Sequence, residues 1–197
     1  MDRGGVYYGG FLLGIVASAI YMWRTGLPGW KVLDCIAPGL ALAQGLGRIG
    51  CFLAGCCWGT PTQQPLGVTF TSEQAHEITG VPLNVKLHPV QLYEAVLVVL
   101  AISFVLWLRK RKSFDGEVAL AYMLYYSFIR FFLEFFRGNP RGYYFNVLST
   151  SQLISLLIIP TAAFLLVRLR KQAVSGKRSD RITPRVLVNR KGRARAF

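Results

Sequence analysis

Acidic residues are scarce in this chain, and so is charge in general. Of 197 residues only 9 are Asp or Glu, and charged residues make up 16%, against about 25% in an ordinary soluble domain. There are two histidines and no CxxC pair, so the common ligand sets for structural zinc are missing. The apolar fraction is 53%, yet the formal net charge is +14. This combination excludes a disordered polar chain, a secreted disulfide scaffold and an ordinary water-soluble enzyme. An integral membrane protein with basic segments on one side remains.

A basic chain can also bind nucleic acid, and the placement of charge decides against it. Eleven Lys/Arg lie between Arg168 and Arg195, and four more form Arg109-Lys110-Arg111-Lys112. Both clusters directly follow apolar runs, which is the pattern of a cytoplasmic face.

The apolar runs predict an all-α polytopic membrane protein with about five spans: Tyr7 to Trp23, Val32 to Trp58 (interrupted by Pro38), Val90 to Leu108, Val118 to Phe136 and Leu153 to Val167, the last kinked at Pro160. Alternate connections hold 17 of the 23 positive charges, which predicts the N-terminus outside and the C-terminus in the cytoplasm. The loop from Gly59 to His88 then forms a small extracytoplasmic cap, with Leu66 to Thr71 a candidate strand. Residues 1–170 read as a membrane-embedded domain and 171–197 as a flexible basic cytoplasmic tail. The opening Met1-Asp-Arg-Gly-Gly-Val-Tyr-Tyr-Gly-Gly lacks the basic region, short apolar core and cleavage site of a signal peptide. It reads as a loop entering a helix.

Polar residues inside these runs are the informative ones. Arg48 stands in a glycine-rich stretch, ~15 Å of helix from the outer end of its span. An intramembrane arginine is a candidate site, the alternative being an ion pair that ties two spans together. Arg130, Glu134 and Arg137, at steps of four and three, share one helical face. Two arginines around one carboxylate leave a positive charge, and the forked guanidinium is suited to phosphate. His88-Pro-Val-Gln-Leu-Tyr-Glu opens the third run and sets His88, Gln91 and Glu94 at a similar depth. The cysteines, Cys35, Cys51, Cys56 and Cys57, admit three readings: small packing residues, a disulfide, or metal and redox chemistry. Cys51 and Cys56, about 140° apart if helical, favour the first.

Three blocks, Gly47-Arg-Ile-Gly-Cys-Phe-Leu-Ala-Gly-Cys-Cys-Trp-Gly, His88-Pro-Val-Gln-Leu-Tyr-Glu and Phe128-Ile-Arg-Phe-Phe-Leu-Glu-Phe-Phe-Arg, resemble in order and spacing the bacterial prolipoprotein diacylglyceryl transferases. Tyr7-Tyr-Gly-Gly is similar to that family's aromatic–His–Gly–Gly segment. The resemblance implies transfer of the diacylglyceryl group of phosphatidylglycerol to the lipobox cysteine of a preprolipoprotein, with no cofactor or metal and no nucleic acid. It places the protein in the bacterial inner membrane. Arg48, Arg130 and Arg137 would hold the phosphate beside Gln91 and Glu94, with Glu134 orienting the arginines and the lipid entering sideways between spans. The departures are Tyr8 where the family has histidine, Cys51 and Cys56 where many members have Asn and Glu, and five spans where seven are usual. His88 is then the expected base, ahead of Tyr8. A relative that binds an anionic lipid or membrane partner without transfer is the alternative.

Overall fold

The computed structural model describes residues 3–138, 143–144 and 148–182, with side chains over 13–138 and 148–175. The described helices are α1 (Arg3–Thr25), α2 (Gly29–Leu53), α3 (Glu73–Thr79), α4 (Val90–Arg111), α5 (Glu117–Leu133) and α6 (Thr150–Ile182). Among the described residues, α2, α4, α5 with its 3-10 extension Glu134–Phe136, and α6 as far as Ser175 are long and apolar enough to cross a membrane. The protein is an all-α polytopic membrane protein apart from two small hairpins. The first expected span forms α1, whose opening side chains, Tyr8 among them, lie outside those described. That helix already starts at Arg3, so the glycine-rich opening is helical rather than a loop; glycine weakens a helix without forbidding it when good apolar formers follow.

Each boundary has a local cause. Pro28 precedes α2, and the helix runs unbroken through Pro38. At its other end the N–H of Gly55 donates to the Phe52 carbonyl (3.1 Å) and that of Cys56 to the Cys51 carbonyl (3.0 Å). With Gly55 at φ +70°, this is a Schellman motif, which turns the chain sharply. Basic residues Arg109, Lys110 and Arg111 fill the last turn of α4, opposing the negative end of its dipole. The amino end of α5 is capped from outside: the Gly116 and Ala119 N–H groups donate to Asp34 of α2 at 2.9 and 3.0 Å. Helix α6 continues across Pro160 and past Lys171, where the flexible tail was expected to begin, because Arg, Lys, Gln and Ala sustain helix well. Residues 183–197 lie outside the described residues.

The buried seam of α2, α4 and α5 is made of small and β-branched residues: Ala37, Ala41, Val98, Ala101, Val105, Val118, Ala119, with Tyr122. A Cβ added at Gly45 would sit 3.4 Å from Val98 Cγ1, which shows how closely α2 approaches α4. Lipid offers no hydrophobic drive between helices, so close van der Waals packing of small residues holds them. Large apolar side chains such as Leu42, Val99, Phe104 and Leu157 face outward instead.

The segment from Gly59 to His88 forms a cap at the end of the bundle where α2 stops and α4 begins. It holds α3 and an antiparallel pair, β1 (Val68–Thr69) and β2 (Lys86–Leu87), with Val68 opposite Leu87. The strand expected over Leu66 to Thr71 is thus two residues long. A second hairpin, β3 (Tyr143–Tyr144) with β4 (Leu148–Ser149), leads into α6.

Candidate functional site

Glu94 of α4 is the hub. It is 1% exposed, and its Oε1 accepts from Arg48 Nε of α2 (2.9 Å) and from the Tyr126 hydroxyl of α5 (2.7 Å). Its Oε2 lies 3.5 Å from Arg130 Nη1. Arg130 Nη2 in turn reaches Glu134 Oε2 at 3.3 Å and Ser151 Oγ of α6 at 3.2 Å. Glu134 Oε2 also faces Arg137 Nη1 at 3.7 Å. Three arginines thus stand against two carboxylates, and the cluster carries a surplus positive charge in a place largely shut off from water. The arrangement suits an anion with several acceptor oxygens.

Arg137 is not on the α5 face as the spacing suggested. The helix ends at Leu133, a 3-10 turn follows, and Arg137 is extended at φ −87°. It stays in reach of Glu134 because its backbone is tied to the cap. The Thr60 N–H donates to the Phe136 carbonyl (2.9 Å) and the Gly138 N–H to the Trp58 carbonyl (3.1 Å). On the opposite edge of the same segment, Gly59 N–H donates to the His88 carbonyl and His88 N–H to the Thr60 carbonyl, at 3.1 and 3.0 Å. Gly59 is required in this strap, since a Cβ there would collide with His88 and come within 2.7 Å of Val90.

His88 therefore sits one strand away from Arg137. Its Nδ1 is 3.3 Å from the Tyr93 hydroxyl, and its ring meets Phe136 edge-on with centroids 5.6 Å apart. Gln91, expected beside the phosphate, instead donates from Nε2 to the Cys56 carbonyl at 2.7 Å and braces the turn after α2. Tyr8 belongs to α1, and its side chain lies outside those described.

Helices α2 and α6 both lie against α5, with a groove between them. Its head is a cavity of about 630 Å³ lined by Gln44, Gly47, Arg48, Cys51, Tyr126 and Ile158, among others. Arg48, the most exposed of the three arginines at 19%, opens onto it. A smaller hollow of about 220 Å³ continues over Arg130, Ser151 and Ser155. Away from the charges the groove becomes apolar, about 340 Å³ between Trp30, Leu33, Leu120, Leu157 and Leu165. Met123 and Ile158 line both this stretch and the head, so the two are continuous. A charged head thus passes into an apolar extension between helices long and apolar enough to cross a membrane.

Several members were not singled out from sequence. Tyr126 and Ser151 complete the arginine and glutamate network, and Gln44 accepts from the Tyr122 hydroxyl inside the cavity. The available signal for Tyr126 is its place one helical turn before Arg130 on the same face of α5. The cysteines also differ from expectation. The α2 helix stops at Leu53, so Cys51 and Cys56 are not held apart on one helix, and the sulfurs of Cys51, Cys56 and Cys57 lie within 4.8 Å of one another. Burial, with Cys57 adjacent, pushes the Cys56 thiol up to about 12.

The family model described as prolipoprotein diacylglyceryl transferase matches residues 1–168. A phosphatidylglycerol–prolipoprotein diacylglyceryl transferase of Clostridium tetani is 41% identical over 87% of this chain and 68% of its own length. A second, of Clostridium perfringens, is 39% identical over 80% of this chain and 59% of its own. A third, of Finegoldia magna, is 32% identical over 87% and 65%. The chain thus spans about two thirds or less of these relatives.

Proposed function

The chain belongs to the prolipoprotein diacylglyceryl transferase family, and from that membership we propose that it moves the diacylglyceryl group of phosphatidylglycerol onto a preprolipoprotein lipobox cysteine. The observation that carries this reading is the cluster of Arg48, Arg130 and Arg137 around Glu94 and Glu134 at the head of a groove that turns apolar.

In the reaction the cysteine thiolate attacks the diacylglyceryl carbon bearing the phosphate. A C–S bond forms, the C–O bond breaks, and glycerol 1-phosphate leaves with the electron pair. The phosphate gains one negative charge in that step, and donors already fixed in a dry site stabilise it without reorganising. Glu94 fixes the guanidinium of Arg48, and Glu134 those of Arg130 and Arg137. The acyl chains lie along Leu33, Leu120 and Leu157. His88 takes the thiol proton, since histidine is the side chain whose ordinary titration falls nearest neutral pH, and its strand adjoins the Arg137 segment. The membrane is the bacterial inner membrane, with the cap on the outer side where the acceptor arrives.

The test is reconstitution in phosphatidylglycerol vesicles with a lipobox peptide, reading the thioether product by mass. Lipid binding without product would leave the non-transferring relative. With transfer in hand, His88→Gln should remove most activity, while Tyr8→Phe loses less. The reverse ranking would assign the proton to Tyr8. For orientation, Gln64→Cys and Ser113→Cys in a cysteine-free background should differ, the former alone reacting with an impermeant maleimide in intact cells.

A further inference from the structure

The Schellman turn that ends α2 also gathers sulfur atoms. Cys51 and Cys56 occupy the two positions that this motif joins by a backbone hydrogen bond, 3.0 Å from Cys56 N to Cys51 O. Cys57 follows with φ +62°, a left-handed conformation that residues with a Cβ seldom adopt. These two local features fold the chain back so that all three sulfurs lie within 4.8 Å of one another. The turn is also braced from outside, because the Cys56 carbonyl accepts from Gln91, a side chain buried in α4. All three cysteines are partly exposed, and Cys51 lines the cavity beside Arg48.

We propose that Cys51, Cys56 and Cys57 form a soft-metal site that binds one Zn²⁺ through three thiolates, with the fourth position open to water. Zinc–sulfur bonds of about 2.3 Å in a tetrahedron put sulfurs about 3.8 Å apart, so the set closes on the ion with a contraction of about 1 Å, within the reach of χ1 rotation. A disulfide would use two of the sulfurs and leave the third beside it; a mutually close trio fits a three-ligand set better. Binding releases three protons and leaves the complex with one negative charge. The guanidinium of Arg48, three residues before Cys51 on the same helix, supplies the neighbouring positive charge. Cys35, far along α2 and exposed, takes no part.

The experiment uses the full chain in detergent, reduced and stripped by chelator, and titrated with Co²⁺ as probe and then Zn²⁺. A thiolate-to-cobalt charge-transfer band at one ion per chain, bleached by Zn²⁺, is expected. Maleimide counting under Zn²⁺ should find three thiols protected and Cys35 reactive, a readout that needs no variant. Cys51→Ser, Cys56→Ser and Cys57→Ser should each weaken binding by more than the roughly 100-fold that loss of a supporting hydrogen bond costs a metal site, while Cys35→Ser leaves it unchanged. Absence of the band in reduced protein, unprotected thiols under Zn²⁺, or binding that survives all three substitutions would overturn the site. A mass two hydrogens lighter before reduction, with no metal uptake after it, would do so as well, in favour of a disulfide.

Discussion

Two buried carboxylates anchor opposite ends of the bundle, and their partners separate them. Asp34 is 2% exposed and Glu94 is 1%. Asp34 accepts from two backbone N–H groups at the start of α5 and from Lys112 Nζ at 3.0 Å, and Lys112 is shared with Asp115. Those donors are held by the start of α5 and the end of α4. Glu94 is met instead by guanidinium groups and a tyrosine hydroxyl, in a cluster with more cations than anions and a cavity at its side. The first carboxylate holds helices together. The second holds cations in place for something else.

The two centres should therefore fail differently when broken. The largest effect on stability should come from Asp34→Ala, which strands two backbone donors and Lys112: a loss of about 3 kcal/mol, read by thermal or denaturant unfolding in micelles, with transfer per folded molecule preserved. An Asp34→Ala protein as stable as its parent would erase the structural half of the contrast. Arg48→Lys and Arg137→Lys should do the opposite, since an ammonium keeps the charge but not the fork. Transfer should fall by ~30- to 1,000-fold, roughly 2–4 kcal/mol in barrier, with the unfolding midpoint little moved. Near-normal transfer by either folded variant would make that arginine a packing ion pair.

The smallest effect belongs to Lys112. The hydrogen bond to Asp115, with Asp34 adding to it, holds the Lys112 ammonium above the ordinary lysine range. A raised lysine stabilises the fold fully below its unfolded titration and loses that contribution as pH rises through the folded value. Wild type should therefore weaken in the alkaline range, above the usual lysine value, while Lys112→Met flattens that limb. Because the group is partly exposed, the difference at neutral pH should be under about 1 kcal/mol.

The contrast also explains what could be read from residue order. Arg48, Arg130 and Glu134 stand out because charge inside apolar runs is conspicuous, in spans recognisable by length, and Arg137 by its three-residue step from Glu134. Glu94 was visible, but its position as the shared partner of two arginines from different helices needs the helices side by side. Asp34 went unnoticed although it too interrupts an apolar run, because most of its partners are backbone N–H groups, which every residue possesses. The end of α2 was missed for a related reason: Ala54-Gly-Cys-Cys continues the apolar composition, and Gly55 alone marks the turn. Arg137 was assigned to the right cluster by the wrong geometry, a helical repeat where a strap of backbone hydrogen bonds does the positioning.

The groove between α2 and α6 has a kinetic meaning. A ligand that enters sideways never passes through bulk solution, so the quantity that sets occupancy is its mole fraction in the surrounding bilayer, not its molarity. Diluting phosphatidylglycerol with a neutral lipid should slow turnover at constant total lipid, whereas doubling the number of identical vesicles should change nothing for protein already inserted. The composition of the leaflet then acts as a governor on the rate.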